Sequence, residues 1–250
     1  MQVLIPLLIS TIAGLSTCLG ALIIFFKIDS AKINRFITFC LAFSASVMIG
    51  ISIFDLIPES FFAYFGVYGL SKSILLLVIA FIISYIVITF MSTLINKQEQ
   101  KQDLYKLGIL NMIVLILHNL PEGIATFLSS YQSIDLGIKL SVAIMLHNIP
   151  EGISIAVPIY YATGSKMEAF KKAFLSGIAE PIGAILAFIF LKNYITDMMI
   201  SIILVIVAGL MITLAIQELI PASLKYRENK VLYLGLIGGI ILVLINILLF

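Results

Sequence analysis

The chain has 250 residues, 62% of them hydrophobic and only 11% charged, with a formal net charge of +2. A soluble domain carries roughly 25% charged residues, so this composition excludes a water-soluble domain and offers no basic surface for nucleic acid. No segment is low-complexity, and where the few charges sit matters more than their sum.

Apolar runs longer than ~18 residues read as membrane-spanning helices. Eight of them cover residues 3–26, 36–57, 73–95, 107–127, 138–161, 173–191, 199–221 and 231–249. The expected fold is an all-α integral membrane protein, one transmembrane domain over residues 1–250, with the lipid bilayer around it. The first run has no basic residue before it and three after it, which reads as an uncleaved span and not a signal peptide. Cys18 and Cys40 lie in the first two runs without CxxC or zinc-ligand spacing, and read as small buried hydrophobes. The second run ends in "FDLIPES" (54–60), with Asp55 inside it and Glu59 just past its end, one turn apart on one face. The fourth carries "HNLPEGIA" (118–125) and the fifth "HNIPEGIS" (147–154). The sixth contains "SGIAEPIGAILA" (176–187), where Ala179, Gly183 and Ala187 form a small-residue ridge that would bring Glu180 close to the central helices. The seventh ends in "QELIPAS" (217–223) and holds Glu218. The eighth contains "GLIGG" (235–239), a GxxxG pattern that serves either a homodimer contact or ordinary internal packing.

The basic residues order these spans across the membrane. The connections after the first, third, fifth and seventh runs hold three each: Lys27, Lys32 and Arg35; Lys97, Lys101 and Lys106; Lys166, Lys171 and Lys172; Lys225, Arg227 and Lys230. The other connections hold one each, Lys72, Lys139 and Lys192, and together these are all 15 in the chain. Basic loops stay cytoplasmic, so both termini are expected outside. A missed span would break the alternation.

No Lys or Arg falls deep within a run, so His118 and His147, the only 2 histidines, are the expected bases at bilayer depth. Asp55, Glu122, Glu151, Glu180 and Glu218 also lie within runs. An ionised acid there costs at least ~2.5–3.5 kcal/mol and is normally paired or protonated. The missing positive charge must come from outside the chain, as a metal cation or as protons. The spacing favours a metal. Residues i and i+4 of a helix share a face and i+3 lies close by, so His118 and Glu122 point one way with Asn119 beside them, and His147 and Glu151 do the same with Asn148 on the next span. Imidazole with carboxylate suits zinc and other first-row divalent ions. Pro121 and Pro150 leave the carbonyls of Leu117 and Leu146 without their helical donors, and Gly123 and Gly152 permit close backbone approach. A single histidine could be interhelical hydrogen-bonding glue, but two identical H-N-x-P-E-G frames that hold every histidine point to a ligand site.

"FDLIPES" and "QELIPAS" both place an acid before Leu-Ile-Pro and a Ser two residues later, on spans that run in opposite directions. So do the two histidine motifs. Matching motifs on antiparallel spans mark an inverted repeat with a substrate site near the midplane. Helices 1–3 then correspond to 6–8, and helix 4 to helix 5. Asp55 and Glu59 would stand at the outer mouth and Glu218 at the inner one, with the paired motifs between.

The two H-N-x-P-E-G motifs, Glu180-Pro181 and the eight-span layout with outside termini resemble the ZIP (Zrt/Irt-like) divalent metal transporters, and within them the bacterial zinc-uptake permease type. The resemblance covers nearly the whole chain. It implies a 3+2+3 helix arrangement in a bacterial inner membrane and uptake of Zn²⁺, with Fe²⁺, Mn²⁺, Co²⁺ or Cd²⁺ as further substrates and no prosthetic group. It places the transport site on His118, Glu122, His147 and Glu151. A neighbouring second site falls on Asn119, Asn148 and Glu180, bridged by Glu122 and Glu151. Met48 matches a path-lining methionine, and Asp55 an entrance position. Two features depart from the pattern. Asn148 is neutral where some relatives carry Asp, so a second ion meets weaker attraction. Residues 96–106 lack the histidine cluster that many relatives carry there.

The expected function is import of divalent transition metals, not catalysis. A metal-dependent intramembrane hydrolase would also bind zinc between helices, but needs an open coordination position and a spare base, for which Glu180 is the candidate, and no H-E-x-x-H frame exists here. A proton-coupled exporter accounts for the acids but not for the histidines.

Overall fold

The structure, a computed structural model, describes residues 3–94, 100–191 and 196–249; Lys97 and Lys192 lie outside the described residues. Hydrocarbon offers no partner for free backbone N–H and C=O groups, so apolar segments of this length fold as helices. Among the described residues eight helices are long and apolar enough to cross a membrane. They are α1 (Leu4–Phe25), α2 (Ile33–Tyr68), α3 (Leu70–Leu94), α4 (Asp103–Tyr131), α5 (Ile134–Thr163), α6 (Lys166–Ile189), α7 (Ser201–Leu224) and α8 (Asn229–Leu249).

The helix ends follow local chemistry. Gly69 ends α2 with φ of 79°, and Gly164 ends α5 with φ of 72°, in a region of backbone space that glycine enters without a Cβ penalty. Ser165 caps α6 by accepting from the Glu168 N–H at 3.2 Å.

The sequence ends the second run at residue 57, yet α2 continues to Tyr68 and carries Glu59 inside it. The reason is a widened turn. Residues Ser52–Leu56 form a π-turn in which the Ile57 N–H donates to the Ser52 carbonyl. A regular helix would drive the Pro58 ring against the Phe54 carbonyl, and the wider turn gives it room. α7 repeats the device at Ala215–Leu219, where Ile220 N–H donates to the Ala215 carbonyl just before Pro221. Asp55 and Glu218 each sit in one of these turns.

Two groups of helices pack together. α1, α4, α5 and α6 touch one another on all sides, while α8 lies along α2 and α3 along α7. The groups meet where α2 crosses α5 and α7 crosses α4. α3 is the least buried span and turns most of its surface outward. The GxxxG residues of α8 are used internally: a Cβ on Gly235 would lie 2.8 Å from the Phe39 carbonyl oxygen, and one on Gly239 would lie 2.7 Å from that of Phe43.

Some basic residues expected in connections stand within helices, Lys72, Lys139, Lys171 and Lys172 among them, and one such residue is buried. Lys106 does not lie in a loop. It stands within α4, only 4% exposed, and its ammonium donates to the Ser92 carbonyl at the end of α3. Polar residues before the apolar run read as a connection, but the helix starts ahead of that run. Among the described residues Lys106 is therefore a third buried base, in addition to the two histidines.

Candidate metal site

The two H-N-x-P-E-G motifs face each other where α4 packs on α5. His118 Nε2 lies 3.1 Å from Glu122 Oε1 on its own helix and 3.4 Å from Glu151 Oε1 on α5. His147 Nε2 lies 3.0 Å from Glu122 Oε1. One carboxylate oxygen of Glu122 thus meets both imidazoles, whose ring centres are 6.0 Å apart. His118, His147 and Glu151 each present a ligand atom within 4.8 Å of the other two. Ligand atoms around a tetrahedral zinc with bonds of ~2.0–2.2 Å stand roughly 3.3–3.6 Å apart. The 3.4 Å contact of His118 with Glu151 is therefore already at the separation one ion would impose.

The surroundings are dry. None of His118, Asn119, Glu122, His147, Asn148, Glu151 and Glu180 exposes more than 4% of its surface. Even so, both oxygens of Glu151, Oε2 of Glu122, Oε2 of Glu180 and Nδ1 of each histidine make no hydrogen bond among the described residues. Buried polar atoms are nearly always partnered, and buried charges are paired or bind metal. Three carboxylates and two imidazoles with lone pairs to spare form a donor set suited to a borderline divalent ion.

The asparagines are held by the outer helices. Asn119 Nδ2 donates to the Ser176 carbonyl of α6 at 3.1 Å, and Asn148 Nδ2 donates to the Ala13 carbonyl of α1 at 3.2 Å. A carbonyl can only accept, so each amide nitrogen is fixed outward and each Oδ1 is left unpaired. Asn148 Nδ2 also donates to Glu180 Oε1, which joins Glu180 to the motif on α5.

The motif glycines set the helix spacing. A Cβ on Gly123 would run into the Glu180 carbonyl of α6, and one on Gly152 into the Thr17 carbonyl of α1. Gly183 meets the Leu120 carbonyl in the same way, so the small-residue face of α6 does bring Glu180 against α4. Two serines and an asparagine missed in the sequence hold carbonyls around the site. Ser44 donates to the Pro150 carbonyl at 2.7 Å, and Ser10 to that of Glu180 at 3.4 Å. Asn111 Nδ2 donates at 2.8 Å to the Ser154 carbonyl, which Pro158 cannot serve. Single polar residues in apolar runs were the available signal.

The remaining sequence candidates take different positions. Met48 is fully buried in the core. Glu59 is exposed. Asp55 borders a cavity of about 340 Å³ between α2, α5 and α8, together with Lys139 and Asn246. Glu218 borders a second one of about 280 Å³ at the opposite ends of the helices, with Ser92, Asp103, Lys106 and Lys225. There it accepts from the Ser92 hydroxyl at 2.5 Å.

The family model described as "ZIP Zinc transporter" matches residues 93–246. Similar chains include the "Zinc transporter ZupT" of Oceanobacillus iheyensis, 41% identical over 99% of this chain and 98% of that protein. Those of Lysinibacillus sphaericus and Clostridium perfringens are 38% and 34% identical, over 99% and 100% of this chain and 98% and 97% of theirs.

Proposed function

Since this chain belongs to the ZIP family of zinc transporters, we propose that it imports divalent transition-metal ions, zinc first, through the His118–Glu122–His147–Glu151 cluster between α4 and α5. It is a multi-pass membrane protein and not an enzyme, as its relatives are named transporters. The observation that carries the reading is the convergence of two imidazoles on one buried Glu122 oxygen, with Glu151 3.4 Å from His118 and neither of its oxygens hydrogen-bonded among the described residues. Zn²⁺ is the substrate, and Fe²⁺, Mn²⁺, Co²⁺ and Cd²⁺ are further candidates by ligand chemistry.

Residues 1–250 act as one transmembrane domain in a bacterial inner membrane, with both termini outside. The helices are arranged 3+2+3, helices 1–3 repeating as 6–8 and α4 as α5. Packing supports this, because exchanging α1 with α6, α2 with α7, α3 with α8 and α4 with α5 turns the helix contacts into one another. The matched π-turns and the outer-helix anchors of Asn119 and Asn148 support it too. In this orientation the cavity at Asp55 opens outward, with Glu59 nearby, and the cavity at Glu218 opens inward. Met48 lies along the route between them. Asn119, Asn148 and Glu180 form a weaker neighbouring site. Three carboxylates shared by two divalent ions would leave net positive charge in a low-dielectric interior, so one ion is held tightly and the second position weakly.

Uptake of radiolabelled zinc into proteoliposomes, with and without a pH gradient, tests the reading. Zinc should enter vesicles that contain the protein and not empty ones. Equal accumulation in both would overturn it.

A further inference from the structure

Asn246 is the lone amide in the apolar stretch "LVLINILL" (242–249) of α8. It is only 5% exposed, and its Oδ1 has no donor among the described residues. A polar group buried in a membrane helix without a partner is costly and marks a functional position. Its direction follows from helix geometry. Gly235 and Gly239 pack on α2, and Val243 packs against Gly50 of α2. Asn246 comes one turn after Val243 and continues this stripe.

The stripe leads into the cavity that holds Asp55. Beside it a seam too narrow to admit a water molecule reaches His147, lined by Val47 and Leu146. Ile51, Val243 and Asn246 wall both the cavity and the seam. Of these three, only Asn246 has a ligand atom. Lys139 also borders the cavity, but its ammonium is held at 2.9 Å by Asp135 on the same helix.

We infer that Asn246 is a transient ligand for the divalent cation on its way from Asp55 to His147. The inference rests on the transport reading above and adds α8 to the wall of the path. A cation that moves from the exposed carboxylate of Asp55 towards the buried imidazole must shed water in an otherwise apolar passage. One amide oxygen replaces a water there. Because it is neutral, it holds the ion too weakly to trap it, and conduction needs binding strong enough to admit the ion and weak enough to release it.

Two variants of the full chain test this, by zinc uptake into proteoliposomes and by equilibrium zinc binding to the purified protein. Asn246→Leu keeps the volume and removes the ligand atom. It should raise the KM for zinc by roughly three- to tenfold, the weight of one modest polar contact, and leave equilibrium affinity unchanged. Asn246→Asp should lower KM, a shift that loss of packing would not produce. Wild-type KM in Asn246→Leu, or a raised KM in Asn246→Asp, overturns the inference. So does a loss of equilibrium affinity that matches the rise in KM. If Asn246→Leu does not assemble, the direction of the Asp variant decides. Wild-type protein that transports no zinc would overturn the transport reading and this inference with it, which differs from normal wild-type transport with indifferent variants.

Discussion

Glu122 is the residue through which the two imidazoles are joined, since its Oε1 lies 3.1 Å from His118 and 3.0 Å from His147. Glu122→Gln keeps the shape but removes the anion. Residues one step removed from a metal typically cost 10–100-fold when mutated, so loss of this ligand should cost at least ~100-fold in zinc affinity. Equilibrium dialysis of the purified variant measures it, and wild-type affinity would refute the role. His118→Ala should weaken binding and shift preference away from zinc, because imidazole is the softer donor. Glu180 stands differently. The Asn148 amide already donates to it, and Asn148 is neutral. Glu180→Gln should slow uptake roughly tenfold at most, with one zinc still bound per chain. Complete loss of uptake, or two ions held with equal affinity by the wild-type protein, would make Glu180 a full member of a two-metal centre. The residues of the two H-N-x-P-E-G frames were legible because the frame occurs twice and holds every histidine. Asn111, Lys106 and Asn246 were not. Each is a single polar residue in or beside an apolar run, and its role depends on what a distant helix brings to it: the Ser154 carbonyl, the Ser92 carbonyl or the Asp55 cavity.

At the level of helices, the repeated motif has a structural half. Its glycine lets α4 lie against α6 and α5 against α1, each at a backbone carbonyl. Gly152→Ala would force a methyl onto the Thr17 carbonyl, where no flexible side chain can give way. It should destabilise the protein by about 1–3 kcal/mol or more, read as a lower melting temperature in detergent. Gly66→Ala is the control. Nothing lies within 4 Å of its added Cβ, so it should be neutral or stabilise by about 0.4–1 kcal/mol. An unchanged melting point for Gly152→Ala would show that the α1–α5 contact is looser than described. The eight spans were readable from hydropathy because nearly every turn is apolar. Their ends were less so. The second run ends at residue 57, yet α2 passes through Pro58 to Tyr68, whereas the seventh, read to residue 221, ends close by at Leu224. A π-turn leaves no mark in hydrophobic pattern; it is a backbone adjustment to a ring that would otherwise strike a carbonyl.

For the whole molecule, the direction of transport depends on which cavity faces the outside. The helices alternate in direction, so the cavity at Asp55 and the one at Glu218 lie at opposite ends. The helix packing is the same for either orientation; the proposed one rests on the distribution of lysine and arginine. Basic residues gather on the cytoplasmic side, so the proposed orientation has the start of α4 and the end of α7 in the cytoplasm and the α4–α5 connection outside. The prediction uses cysteines in a chain whose own Cys18 and Cys40 have been replaced by alanine. Ser133→Cys, in the short connection between α4 and α5, should react with a membrane-impermeant thiol reagent in intact cells. Thr163→Cys, exposed at the end of α5, should react only after the cells are permeabilised. Labelling after permeabilisation shows that both sites are reachable, so the difference in intact cells reports sidedness and not burial. The reverse pattern would put both termini inside. Asp55 would then stand at the cytoplasmic mouth and Glu218 at the outer one, and an imported ion would meet Lys106 before it reached either histidine.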